Sequence, residues 1–132
     1  MLKLEIVTPE KRVIDETVDS VTVPTLTGEA GILPNHAPLI SALKPGILAF
    51  TNKGATENLA VAGGFVEVSA DKVSVMTDTA ESAADIDVDA ARVEKDAAEK
   101  ALAAVANGSI EETEDVRDRL ELANVRIQLA TR

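Results

Sequence analysis

From Leu2 to about Ala84 the apolar residues of this chain alternate with polar ones; from about Asp85 they recur every third or fourth position. A period of two turns one face of a strand towards a core, and a period near 3.6 does the same for a helix. No single element satisfies both. The change of period predicts two units, residues 1–84 and residues 85–132.

The first unit reads as strands. Leu2, Leu4 and Ile6 alternate with Lys3, Glu5 and Val7, and the pairs Val21/Val23, Leu59/Val61, Val66/Val68 and Val73/Val75 repeat the pattern. Turn residues punctuate these runs at Thr8-Pro9, Pro45-Gly46, Asn52-Lys53-Gly54, Gly63-Gly64 and Ala70-Asp71. Such spacing predicts a small β-sandwich of about eight to ten short strands. Its core must be aliphatic, because the chain has no Trp or Tyr and its only aromatics are Phe50 and Phe65.

The second unit reads as an antiparallel two-helix hairpin. Asp87 or Asp89 is placed to cap a helix running to Ala106, which Asn107-Gly108 ends. Ser109 and Glu112 have the spacing of a capping box for a second helix running to about Ala130. Val116, Leu120, Ala123, Ile127 and Ala130 form one stripe; Val93, Ala97, Ala101, Ala104 and Val105 form the facing one. Asp96 with Lys100 and Asp115 with Arg119 supply i,i+4 pairs on the outer faces. So small a hairpin buries little area alone, which predicts that it leans on the sandwich or on a partner and detaches at modest cost.

Charge and composition exclude several functions. The net charge of −10 argues against nucleic acid and against adhesion to anionic lipid. No cysteine and a single histidine leave no thiolate or histidine-cluster metal site. No apolar run approaches the roughly 20 residues of a membrane helix. The N-terminus enters strand alternation at once, so the chain is expected to work where it is made, in a bacterial cytoplasm. Ser20, Ser41, Ser69 and Ser74 lie in strand patterns, and no nucleophile elbow or phosphate-binding Gly-rich loop is present. Catalysis is not expected.

The segment Gly28 to Pro38 reads Gly-Glu-Ala-Gly-Ile-Leu-Pro-Asn-His-Ala-Pro. Its density of Gly and Pro predicts a stiff, shaped loop. Ile32 and Leu33 then need cover, either from this domain or from another protein. His36 is expected to be hydrogen-bonded within the loop rather than to sense protons. Gly63-Gly64-Phe65 reads as a turn beside an aromatic anchor. Asp89 reads first as a helix cap and Arg92 as a solvated partner of Asp96, with phosphate binding as the functional alternative.

The Gly28–Pro38 segment, followed by Ala42-Leu43-Lys44-Pro45-Gly46 and by Val61-Ala62-Gly63-Gly64-Phe65-Val66-Glu67-Val68, resembles the epsilon subunit of F-type ATP synthases over the whole chain. The resemblance implies a non-catalytic rotor subunit at the cytoplasmic face of the bacterial membrane. Its β domain would bind the gamma subunit and rest on the c-ring, without inserting into lipid. The implied contact is Glu29, flanked by Gly28, Ala30 and Gly31, with Ile32, Leu33, Pro34 and His36 supporting it. The hairpin is implied to be a brake that reaches the alpha/beta catalytic head when extended. Some members bind ATP, with Mg, through Ile or Leu, then Asp, two variable residues, Arg and Ala. Here Asp89 and Arg92 match while Val88 and Val93 depart, and Arg126 is a further candidate phosphate partner. Residues 110–132 hold four arginines against six acids, which predicts weak or conditional braking. The alternative from another class is a free-standing ATP-sensing module.

Overall fold

The computed structural model describes residues 1–105 and 107–132. Ten strands run in chain order: β1 (Leu2–Val7), β2 (Arg12–Val18), β3 (Ser20–Thr25), β4 (Gly28–Ile32), β5 (Leu39–Ala42), β6 (Gly46–Asn52), β7 (Ala55–Ala62), β8 (Phe65–Ser69), β9 (Lys72–Met76) and β10 (Thr79–Ser82). They form two five-stranded sheets, in the orders β2-β1-β9-β8-β5 and β10-β7-β6-β3-β4. Every pairing is antiparallel except β1 with β9, which is parallel.

Alternation decides which side chains lie between the sheets. Leu2, Leu4, Ile6, Val66, Val68, Val73 and Val75 come from one sheet; Val21, Val23, Ile32, Leu48, Phe50 and Val61 come from the other. Phe50 is the only aromatic in this aliphatic core. Phe65 is not a core anchor: the phase of β8 buries Val66 and Val68 and turns Phe65 outward.

Two turns reverse the chain within a sheet with consecutive residues at positive φ: Lys53-Gly54 and Ala70-Asp71. Gly63-Gly64 does different work, because β7 and β8 belong to different sheets. Both glycines have positive φ, and a Cβ on Gly64 would stand 1.8 Å from the Met76 carbonyl oxygen. The crossing from β9 to β10 passes at this point: Asp78 N–H donates to the Ala62 carbonyl at 3.1 Å, and Thr77 Oγ1 donates to the same oxygen at 2.8 Å. Leu43 N–H, on the third crossing, donates to the Gly64 carbonyl at 3.0 Å. One corner therefore binds three sheet-to-sheet crossings.

A 3-10 turn, Ala83–Asp85, leads to α1 (Val88–Ala104), and α2 (Ile110–Ala130) returns antiparallel. Asp87 caps α1, its carboxylate accepting from Ala90 N–H at 3.1 Å; Ser109 caps α2, accepting from Glu112 N–H at 3.2 Å. α1 ends at Ala104, with Val105 as its C-cap; the expected end at Ala106 lies outside the described residues. Asp96 and Lys100 form the expected pair at 3.2 Å. Asp115 and Arg119 form none among the described residues.

On α2 the stripe read in the sequence holds, with Ala123 buried and Val116, Leu120, Ile127 and Ala130 half-buried, but α1 packs in a different phase. Ala91 and Ala98 are the buried residues of α1, and Val93 is 70% exposed. Seven residues separate 91 from 98, two helical turns along one face. Small side chains there let α2 approach closely. On α2 the buried residues are Ala123 and Leu129. This helix serves two neighbours, because it packs on α1 and also across β7 and β6. Ala60 is fully buried yet outside the inter-sheet core, as expected of a residue beneath that helix. The hairpin thus covers one outer face of the sandwich and leaves the other bare.

Candidate functional site

The Gly28–Pro38 segment is only half a loop. Gly28–Ile32 pairs with β3 as an edge strand, from Val21 opposite Ile32 to Thr25 opposite Gly28. The strand period then sorts its residues. Ala30 and Ile32 point into the core, while Glu29 and Gly31 point out. Ile32 is fully buried, so its cover comes from its own domain. It supports the segment from within rather than forming part of any contact surface. Leu33 is 62% exposed, and Pro34 is exposed beside it.

Leu33 to Pro38 carries the chain from the edge of one sheet to the edge of the other. This bridge is braced. Asn35, at φ 68°, donates its N–H to Asp71 Oδ1 at 2.7 Å, tying it to the turn between β8 and β9. His36 N–H donates to the Leu33 carbonyl at 3.1 Å, and its ring Nδ1 lies 2.6 Å from the Ala37 carbonyl oxygen. The histidine closes a local turn, as the sequence leads one to expect. Glu29, Gly31, Leu33 and Pro34 together form an exposed, stiffly held rim.

A second feature went unread in the sequence. Register aligns Ala42, Phe65, Met76 and Val7 in one row across β5, β8, β9 and β1, all on the bare outer face. Phe65 is 39% exposed, Met76 43% and Ile40 72%. Phe65 and Met76 line a shallow hollow of about 330 Å³ with Val7, Pro9 and Gly64. The signal was present: Phe65 and Met76 are large apolar residues at the polar phase of otherwise regular strands.

Asp89, Arg92 and Arg126 are not brought together as one site. Arg92 lies 3.9 Å from Asp89, both well exposed on the first turns of α1. Arg126, on α2, faces elsewhere. Its Nε donates to Glu81 Oε1 on β10 at 2.8 Å, its Nη2 lies 2.7 Å from the same oxygen, and its Nη1 donates to Glu94 Oε2 on α1 at 2.8 Å. Glu81 and Glu94 were not singled out in the sequence, and no spacing rule links them to residue 126.

In this arrangement the Arg126 fork is engaged by Glu81 and Glu94, while Arg92 stays exposed. Three hollows adjoin Arg126: one of about 200 Å³ lined by Glu81, Asp85, Asp87 and Glu94, one of about 280 Å³ towards Thr8 and Lys11, and one of about 260 Å³ lined by Glu94, Arg119 and Leu122. Among the described residues no cluster of His, Cys, Asp or Glu is arranged to hold a metal ion, and no helix is long and apolar enough to cross a membrane.

Residues 1–83 match the family described as the beta-sandwich domain of the ATP synthase Delta/Epsilon chain. The ATP synthase epsilon chain of Nitratidesulfovibrio vulgaris (strain DP4) is 51% identical over 79% of this chain and 78% of its own length. That of Geotalea daltonii is 40% identical over 98% of this chain and 93% of its own, so it spans the hairpin as well. In fold, the chain is similar to a subunit in the Euglena gracilis mitochondrial ATP synthase assembly of OSCP, F1 and c-ring, with a TM-score of 0.81 at 22% identity over 99% of this chain and 81% of that one. A chain of the Tetrahymena thermophila central stalk and c-ring gives 0.69 at 15% identity, covering 98% of this chain and 96% of its own. The chain belongs to the family of bacterial F-type ATP synthase epsilon chains, an accessory subunit and not a catalytic one.

Proposed function

We propose that the sandwich seats this subunit on the rotor of a proton-translocating ATP synthase, at the cytoplasmic face of the membrane, and turns with it. The observation that carries this reading is the apolar row on the bare face. Exposed apolar area of this kind marks a protein contact. We assign the row Ala42, Phe65 and Met76, with Ile40 beside it, to gamma. We assign the rim of Glu29, Gly31, Leu33 and Pro34, backed by Gly28, Ala30, Ile32 and His36, to the polar loops of the c-ring. Torque transmission needs a contact that does not yield, and the brace from Asp71 to Asn35 supplies one. The hairpin lies across the face opposite the apolar row and is the candidate regulator of ATP hydrolysis through the alpha/beta head.

The test is retention of the subunit by the enzyme. Wild-type chain should co-purify with gamma and the c-ring from detergent-solubilised membranes. Phe65→Glu, on an outward position, should keep the sandwich folded by circular dichroism and abolish that retention. Retention of the Phe65→Glu chain at wild-type level would remove the row from the interface. A folded wild-type chain that stays soluble and alone would favour the free-standing sensor.

A further inference from the structure

We propose that Arg126 is a latch that holds the hairpin on the sandwich through the protein's own carboxylates, without a nucleotide. The latch concerns the free full-length chain and stands whether or not the sandwich seats on a rotor.

Three elements meet at this one side chain: Glu81 belongs to β10 at the edge of the sandwich, Glu94 to α1 and Arg126 to α2. The guanidinium presents its donors in a fixed fork, so one arginine engages two carboxylates on two elements at once. The fork is largely out of water: Arg126 is 21% exposed at its side chain and Glu81 28%. Water screens such a pair less than a surface ion pair, and loss of one partner strands the other charge. Glu94 is 56% exposed, so its share of the grip is the smaller.

The two carboxylates have different jobs. The Glu81 contact crosses the seam between hairpin and sandwich, while the Glu94 contact lies inside the hairpin. Apart from that contact, α2 is held mostly by half-buried apolar residues, among them Leu120, Leu122, Val125 and Ile127. Among the described residues of α2 only Ala123 and Leu129 are buried, and Leu129 is the one large side chain of the two. A half-buried apolar contact beside a partly buried charge cluster is a seam whose opening the cluster can bias. The same carboxylates occupy the guanidinium that a polyphosphate would need. Closure is therefore built into the chain rather than conferred by a ligand.

The chain lacks cysteine, so two can be introduced cleanly for spin labels, at Lys72 on the bare face and at Ile110 at the start of α2, both exposed. The distance distribution between the labels then reads the closed and open populations of the full chain. Glu81→Gln and Arg126→Gln should each raise the ratio of open to closed chains by about five-fold or more, the scale of a partly buried charged pair. Glu94→Gln should raise it less. The double variant Glu81→Gln/Arg126→Gln should open no more than either single one, since both remove the same contact. MgATP at millimolar concentration should leave the wild-type distribution unchanged. Wild-type populations in both seam variants would overturn the latch, as would additive opening in the double variant or an effect of Glu94→Gln matching that of Glu81→Gln. Closure of the wild-type chain by MgATP would show that a nucleotide does the holding.

Discussion

Ile32 and Leu33 are neighbours in sequence and opposites in the fold: Ile32 is sealed between the sheets, and Leu33 stands in solvent on the rim. The strand ends between them, and with it the inward alternation. Ile32→Ala should destabilise the free chain by about 2–5 kcal/mol, the usual range for emptying a core site. Leu33→Ala should change stability by no more than about 0.5 kcal/mol, yet weaken retention by the assembled enzyme. Urea unfolding and co-purification measure the two effects separately. A stability loss at Leu33 equal to that at Ile32 would contradict this placement.

Glycine is required at Gly64 and dispensable at Gly31. Gly64 combines φ of +81° with a carbonyl oxygen where a Cβ would go; Gly31 has ordinary φ and no atom within 4 Å of that position. Gly64→Ala should therefore cost more than about 2 kcal/mol, from the left-handed backbone and the forced shift of the Met76 strand end together. Gly31→Ala should be neutral or slightly stabilising in the isolated chain. Thermal unfolding of both variants decides the point. An equally mild effect at both positions would mean that the three-crossing corner is softer than its hydrogen bonds suggest.

Removing residues 85–132 should raise ATP hydrolysis by the assembled enzyme less than several-fold. The α2 segment carries six acids against four arginines, with the acids early in the helix, so its attraction to an acidic catalytic surface is weak. Steady-state hydrolysis by enzyme carrying full-length or truncated subunit gives the comparison. A several-fold rise on truncation would mean that the hairpin brakes strongly despite its charge.

The sandwich was largely legible because period-two alternation has only two phases, and burial selects one. Leu2, Leu4, Ile6, Val73 and Val75 could face nowhere else. Gly28–Ile32 was read as loop because its two glycines and the nearby Pro34 and Pro38 outweigh one isoleucine in any local reading. Pairing with β3, a tertiary fact, makes it a strand. The phase of α1 failed for a different reason, while the α2 stripe held. In an Ala-rich helix several faces are almost equally apolar, so Ala91/Ala98 and Ala97/Ala101/Ala104 compete on equal terms. The outcome depends on what α2 must cover beneath it, and Val93 is left outside. Leu129 was missed because the stripe was read for one partner helix, whereas α2 also packs on the sandwich. The ion pairs of Arg126 span 45 and 32 residues, beyond any spacing rule.

The parallel match of β1 with β9 has a consequence for birth rather than for rotation. Lys3 lies beside Lys72, so the first strand to leave the ribosome waits for about 70 further residues before one of its flanks is filled. At about 5–20 residues per second this takes several seconds. Until then β2 is the only strand paired with β1, and a chain stalled before Val73 presents the open flank of a half-finished sheet to every neighbour. Synthesis must run nearly to the helices before the oldest part of the molecule becomes safe.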